Sequence, residues 1–325
     1  MKFNICTLID NGFGLQSDYG LLRRLLEEWG HEVHGVKISG VNGEVFDKDL
    51  PIADVNIFLE LLSSRVVESG VAKENWFVPN QEWYHARWDS ILPYVHKILC
   101  KTYEAVRVFT EKGYGDRCIH VGWESKDLYD PTIPRQRKFL HVAGGSANKN
   151  SEAVAFAFSR FYHNKFTGPW NEGKNIPLVL VSSNFNHCNI MMGQSNCTYV
   201  ERATDEQMKH LMNECIFHIM PSAAEGWGHV IHEGLGCGAV MLTTDFPPMN
   251  EYAGIDQSLL IHSQKWEIMN QVGRRAWVGA YDLKTSIDTA WGFSLQHIEE
   301  IQRSARRAFL EQRESFRQAF KRLTK

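Results

Sequence analysis

The sequence predicts an α/β protein made of two parallel-sheet domains in series. Three observations carry that expectation. The chain has 325 residues, more than one ordinary core accommodates and suited to two domains of roughly 150 residues each. Short apolar runs alternate with amphipathic helical stretches, the pattern of parallel strands covered by helices. The alternation breaks once, at Tyr129-Asp130-Pro131-Thr132-Ile133-Pro134, and then restarts. Two prolines so close together, followed by Arg135, Arg137 and Lys138, read as a linker. The expected division is residues 1–131, residues 132–296, and a C-terminal helix over 297–325 that can cross back to the first domain.

The elements follow in order. Phe3 to Ile9 is an apolar strand and Gly12-Phe13-Gly14 a turn. Asp18 to Trp29 carries Leu21, Leu22, Leu25 and Leu26 on one helical face and stops at Gly30. Val33 to Ile38, Val55 to Leu61, Asn75 to Pro79 and Lys97 to Cys100 are further strands. Beyond the linker, Phe139 to Ala143 is a strand, Gly144-Gly145-Ser146 a turn and Ser151 to Tyr162 a helix. Leu178 to Ser182 is a strand, and Thr204 to Gln207 has the spacing of a capping box. Ile216 to Met220 and Val240 to Thr243 are strands, with Glu233 on the helix between them. A long amphipathic helix starts near His297. Two such domains would face each other across a cleft, and ligands of open α/β sheets bind beyond the carboxyl ends of the strands. The loops at Asp10–Asp18, Pro79–His85, Gly144–Asn150 and Pro221–Glu233 are therefore the places to look.

Hydrophobic residues at 43% and charged residues at 22% exclude a disordered chain. No apolar run approaches the roughly 20 residues of a membrane span, and the first strand is too short for a secretory signal. Seven cysteines without a Cys-x-x-Cys pair read as free thiols of a reducing compartment. The expected location is the cytoplasm, a host's cytoplasm if the chain is viral. A net charge of −3 offers no global attraction for polyanions. The stretch from Arg303 to Lys325 differs, with eight Lys or Arg against two Glu. Such a tail is either a solvated helical face or a surface for nucleic acid or membrane.

The most informative segment runs from Pro221 to Val240 and includes Glu225-Gly226-Trp227-Gly228-His229-Val230-Ile231-His232-Glu233. A glycine-containing loop that opens a helix offers backbone N–H groups and a helix N-terminus to an anion, commonly phosphate. Gly226 and Gly228 permit close approach. Two carboxylates eight residues apart, Glu225 and Glu233, suit hydroxyl recognition at two points of an elongated ligand, by strong charge-assisted bonds.

This segment resembles the Glu-x7-Glu motif of family-four retaining glycosyltransferases, which have the GT-B architecture of two Rossmann-like domains. Gly238-Ala239-Val240, Asp245 and Pro247–Glu251 follow in the family's order. Val121 to Tyr129 resembles its segment before the interdomain linker, and His141-Val142-Ala143-Gly144-Gly145 with Lys149-Asn150 its first strand and phosphate turn. The resemblance is strongest over residues 97–255. It implies that Glu225 holds the donor sugar and Lys149 neutralises the departing diphosphate, these two being the catalytic candidates. It implies further that Gly226, Trp227, Gly228, Gly144, Gly12 and Gly14 meet sugar or diphosphate, and that Glu233 binds the nucleotide ribose. The implied donor is a nucleoside-diphosphate sugar, UDP-sugar first, with no other cofactor and no essential metal. One departure is that the family's usual arginine is missing near Gly145 and Ser146; Arg202 is one candidate substitute.

The acceptor is read from the first domain. Asn80, Glu82, Trp83 and His85 follow a strand and mix aromatic with hydrogen-bonding groups, and Asp18 ends the first loop. Trp76, Trp83 and Trp88 are alternatively simple core. Val78 to Tyr84 with Lys101-Thr102, and the compact length, resemble virus-encoded transferases. The acceptor reading taken first is therefore a hydroxymethyl pyrimidine in duplex DNA. Arg303, Arg306, Arg307, Arg313, Arg317, Lys321 and Arg322 would meet phosphates, and Trp83 or Tyr84 would stack on the flipped base. A cell-surface glycan or glycolipid is the alternative, and a non-catalytic sugar-binding protein the third reading. His229, His232 and Glu233 do not form His-Glu-x-x-His, so zinc is not expected. Gly12-Phe13-Gly14 lacks the rest of a dinucleotide fingerprint.

Overall fold

The computed structural model describes residues 1–9, 14–40, 42–45, 49–144, 146–162, 175–191, 196–254, 256–270 and 272–325. The chain forms two compact units. One contains Met1–Glu124, Ile268–Arg274 and Glu314–Lys325, and the other Ser125–Glu267 and Arg275–Arg313. The last helix thus contributes residues to both units.

The first unit runs β1 (Lys2–Thr7), α1 (Gly14–Glu28), β2 (Glu32–Ser39), β3 (Glu44–Val45), β4 (Ala53–Leu59), α2 (Ser64–Glu68), β5 (Ala72–Val78), β6 (Lys97–Cys100), α3 (Tyr103–Glu111) and β7 (Cys118–His120). Its sheet order is β3-β2-β1-β4-β5-β6-β7, and every pairing except that of β2 with β3 is parallel. The central strands β1 and β4 are buried along almost their whole length, as strands covered on both faces are. Phe58, Phe77, Tyr84, Trp88 and Phe109 lie in one buried cluster, with Phe77 and Tyr84 edge-on to Phe109 at centroid distances of 5.8 and 5.3 Å.

Two sequence expectations change here. The first helix begins at Gly14 rather than Asp18. Leu15, Asp18, Leu22 and Leu25 are buried together at helical spacing, which carries the apolar face one turn further back and puts Asp18 on the inward side. Tyr84 is also withdrawn from base stacking. It is buried, and its hydroxyl donates to Asp89 at 2.6 Å. Trp76 and Trp88 are core, and Trp83 alone of the three is exposed, at 45%.

The second unit begins with β8 (Gln136–Val142), α4 (Ser151–Phe161), β9 (Leu178–Val181), α5 (Phe185–Met191) and β10 (Cys197–Val200). It continues through α6 (Asp205–Glu214), β11 (Cys215–Met220), α7 (His229–Gly236), β12 (Val240–Thr244), α8 (Met249–Tyr252) and β13 (Ser258–Ile261). A two-stranded pair, β14 (Lys265–Met269) and β15 (Gly273–Trp277), precedes α9 (Ala280–Trp291) and α10 (Leu295–Leu323). The sheet order is β10-β9-β8-β11-β12-β13, all parallel. The capping box at Thr204 forms in full, with Thr204 accepting from the Gln207 N–H and Gln207 accepting in return. β7 ends at His120 and β8 starts at Gln136, so the irregular stretch between them covers residues 121–135 and begins well before the two prolines of the expected linker.

Candidate functional site

In an open parallel sheet, the chain leaves two neighbouring strands in opposite directions where the strand order reverses, and this opens a crevice beyond their carboxyl ends. In the second unit that point lies between β8 and β11. The segment after β8 turns at Gly144, whose φ of +58° suits glycine, and then forms a 3-10 turn over Ala147–Lys149. Asn150 follows in the left-handed region, its side chain donating to the Val278 carbonyl at 3.0 Å. The segment after β11 runs from Pro221 to Gly228. The two segments are tied together where the Ala223 N–H donates to the Asn148 carbonyl at 2.6 Å. Lys149 and Glu225 meet across this point in an ion pair, their side chains 19% and 11% exposed.

Below the crevice, His141 on β8 is fully buried. Its Nδ1 lies 2.6 Å from the Ile219 carbonyl and its Nε2 2.7 Å from the Ser151 hydroxyl. A carbonyl only accepts, so Nδ1 carries the proton and Nε2 accepts from Ser151. Burial pushes the imidazole down to about 4, and it stays neutral at neutral pH. This one side chain joins β8, β11 and α4.

Gly228 is the residue before α7, with φ +77°. A Cβ there would come within 3.3 Å of Ile231 Cδ1 and make ordinary contact with Glu225 Cγ at 3.5 Å, so it is the backbone turn that calls for glycine. Gly226 is buried. Trp227 is buried too, stacked on His232 at 3.8 Å with rings 9° apart. Its indole N–H donates to the Ser125 hydroxyl at 3.1 Å, and that hydroxyl lies 2.8 Å from His229 Nδ1. Trp227 therefore presents backbone rather than ring. Glu233, on α7, is partly exposed. Burial raises its pKa, opposed by the charges of His229, Lys126 and Lys149. Among the described residues, none forms a hydrogen bond or ion pair with its carboxylate. A half-buried carboxylate without a partner is costly and is equipped to accept from ligand hydroxyls.

The corresponding reversal in the first unit lies between β1 and β4. Asp18 and Lys101 form an ion pair of 2.6 Å, with side chains 3% and 2% exposed. Trp123 Nε1 donates to the other Asp18 oxygen at 2.6 Å. Lys101 also donates to Asn80 Oδ1 at 3.0 Å, and Asn80 Nδ2 donates to Glu60. Glu60 directly follows β4 with φ +63°, an unusual conformation for a residue bearing a Cβ, and burial raises its pKa. Glu82 is buried, its carbonyl accepting from Asn270 Nδ2 at 3.0 Å, whereas Trp83 is exposed and His85 half-exposed.

The structure thus brings Lys149, Glu225, Gly226, Trp227 and Gly228 to one crevice, flanked by Gly144 and with Glu233 on the helix that follows. Gly14 opens α1, and Gly12 lies outside the described residues, as does Gly145. Arg202 is exposed just past β10, two strands from β8, which leaves it poorly placed to replace the missing arginine. Sequence reasoning missed Ser125, His141 and Glu60. The first two differ from surrounding core only through hydrogen bonds that spacing does not reveal, and nothing in the residues around Glu60 signals its backbone conformation. Among the described residues, no cluster of His, Cys, Asp or Glu is suited to a metal, and no helix is long and apolar enough to cross a membrane.

No family model matches the sequence, and no curated protein does. Solved structures do match. A glycosyltransferase from Rickettsia africae aligns at 12% identity over 99% of this chain and 97% of its own, with a TM-score of 0.71. Sucrose-phosphate synthase from Thermosynechococcus elongatus aligns at 10% identity over 100% and 98%, also with a TM-score of 0.71. HepE from Anabaena, solved with UDP and glucose, aligns at 12% identity over 100% and 99%, with a TM-score of 0.66. Likeness at these identities shows the fold: the two parallel-sheet domains are those of the GT-B class.

Proposed function

We propose that the protein is a retaining, nucleotide-sugar-dependent glycosyltransferase of the family-four type, with its donor at the β8–β11 crevice. The observation that carries this reading is the arrangement of Glu225, Lys149 and Glu233: a paired anion and cation beside a glycine loop, and, on the helix that the loop opens, a carboxylate without a partner among the described residues. A UDP-sugar fits these groups. Glu233 accepts from the ribose hydroxyls, while Lys149 and the amides of 226–228 meet the diphosphate. Glu225 accepts from sugar hydroxyls once Lys149 turns to the phosphate. As the sugar–phosphate bond breaks, negative charge grows on the leaving diphosphate, and Lys149 with the N-terminus of α7 stabilises it. The acceptor hydroxyl attacks from the face the leaving group occupies, and the diphosphate takes its proton. No step requires a metal. That HepE was solved with UDP and glucose supports UDP-glucose as the first donor to try.

For the acceptor, Trp83, His85 and Asn80 are the contact candidates in the first unit. Buried Asp18 and Glu82 would act by positioning them. The basic tail is less available to DNA than its composition suggests. Arg306 forks onto Asp127 at 2.7 and 2.9 Å, Arg313 sits 3.5 Å from the same carboxylate, and Arg317 is paired with Glu124. These pairings favour a neutral glycan or glycolipid. Hydroxymethylated DNA, suggested by the resemblance to compact virus-encoded transferases, is the second reading and rests on exposed Trp83. Radiolabelled UDP-glucose, offered with hydroxymethylated duplex DNA and with a glycan panel in EDTA, tests the proposal. Label on a glycan, with no gel shift of the DNA at low salt, is expected. Label on DNA with steep salt dependence would reverse the acceptor reading. Activity that is lost in EDTA and restored by manganese would overturn the metal-free mechanism, and no donor turnover or UDP binding at all would overturn the function.

A further inference from the structure

The second unit has a cavity of about 470 Å³ that the transferase reading does not use. It is lined by Arg135, Arg303, Arg306 and Arg307, with the carboxylates of Glu299 and Glu311. Arg135 directly precedes β8, and Gly238, also at the cavity, lies two residues before the start of β12. The cavity therefore lies at the amino ends of the parallel strands, the opposite edge of the sheet from Lys149 and Glu225. Helix α10 supplies residues 299, 302, 303, 306, 307, 310 and 311 to it, one face at helical spacing.

The charges here are not balanced. Arg306 is committed to Asp127, and Arg303 is 3.6 Å from Glu299. Among the described residues, no carboxylate pairs with Arg135 or Arg307. Arg135 donates through Nη2 to the Cys237 carbonyl, and its Nη1 is buried without a partner. A half-buried guanidinium without a carboxylate partner among the described residues leaves local positive charge that an anion in the adjoining space would offset. Guanidinium forks match phosphate oxygens in shape as well as charge. The volume exceeds what a bare anion fills and falls in the range of small-molecule sites. Tyr129 and Leu310, 41% and 43% exposed, add aromatic and apolar wall.

We propose that this cavity is an effector site for a small organic phosphate monoester, its phosphate set between Arg135 and Arg307 and its organic part against Tyr129 and Leu310. The site is placed to influence α7. Arg135 and Arg306 hold the Cys237 and Gly236 carbonyls at the carboxyl end of that helix, while Glu233 sits one turn earlier on it. The proposal does not depend on the transferase reading, because the cavity and the crevice lie on opposite sheet edges.

Calorimetric titration of the full chain tests it, with glycerol 3-phosphate as the probe, saturating UDP present, and sodium chloride matching the ionic strength. One saturable site is expected. It should persist in Lys149→Ala and weaken at least tenfold in Arg307→Glu, whose exposed position leaves the fold undisturbed. A parallel titration with inorganic phosphate separates the sources: weaker binding there supports a phosphate ester, and equal binding overturns the role given to Tyr129 and Leu310. Absence of saturable binding, displacement by UDP, or unchanged affinity in Arg307→Glu would overturn the site.

Discussion

The two sheets reverse their strand order in the same way, between β1 and β4 in one unit and between β8 and β11 in the other, yet the polar groups at the two points are used differently. In the first unit they are bonded to each other. Asp18 has Lys101 on one oxygen and Trp123 on the other, and Asn80 bridges Lys101 to Glu60. In the second, Lys149 and Glu225 pair near the surface, and Glu233 has no partner among the described residues. Topology makes a crevice in both places, but among the described residues the groups named here bond to one another in the first and leave the Glu233 carboxylate in reserve in the second. The comparison teaches that strand order locates candidate sites, and that the polar groups gathered at each are what distinguish one crevice from the other.

The largest expected effect tests the first half of this contrast. Asp18→Ala leaves the Lys101 ammonium buried with its carboxylate partner gone. Breaking such a pair typically destabilises a protein by about 3–5 kcal/mol. Urea unfolding should show a loss of that order, while UDP affinity of the folded variant stays at the parent value. A variant as stable as the parent that loses only acceptor affinity would mean that this network is binding equipment, and the contrast between the two points would fail.

The second effect divides the two motif glutamates. Glu225→Ala should lower turnover at least about tenfold, because contacts made to the sugar in the transition state are lost. Glu233→Ala should act on binding instead, weakening UDP by about tenfold or more, as expected when a charge-assisted hydrogen bond worth roughly 1.5–3 kcal/mol is removed. Steady-state kinetics and calorimetry on both variants separate the roles. Equal effects of the two substitutions on UDP affinity would erase the distinction between a sugar contact and a ribose contact.

Much of this contrast was legible in the sequence, and the reason is physical. Buried parallel strands must be apolar runs, so Lys97–Cys100 is recovered without change and β8, β9, β11 and β12 to within a few residues. The loop before α7 was legible because Gly228 and the two glutamates are demanded by local geometry and charge. What stayed hidden depends on long-range partners. Asp18 looked like a loop acid, and its role emerges only from Lys101, 83 residues away. The basic tail looked like a polyanion surface until Asp127 and Glu124, 179 and 193 residues distant, were found on its arginines. Edge elements such as β10 and the pair β14 and β15 carry too little apolar pattern to announce themselves, their residues being largely exposed or half-buried.

The smallest expected effect sharpens the account of Glu233 through pH. Burial raises the pKa of this carboxyl above its ordinary value of 4.5. If the ribose hydroxyls donate to the ionised form, affinity for the nucleotide should fall as pH drops through that raised pKa, a few-fold at first and while an ordinary glutamate would still be charged. The effect on the unliganded fold has the opposite sign. The native state holds the proton more tightly than the unfolded chain, so between 4.5 and the raised pKa the contribution of Glu233 to stability declines as pH rises. Uridine is the ligand to use, because UDP phosphates titrate near the same range, and Glu233→Gln is the reference because it keeps the shape without the charge. The parent should lose uridine affinity on acidification while Glu233→Gln binds weakly and evenly across the range. Parallel profiles for the two proteins would show that the Glu233 carboxylate is not the ribose contact, and the second crevice would then be no better equipped for a nucleotide than the first.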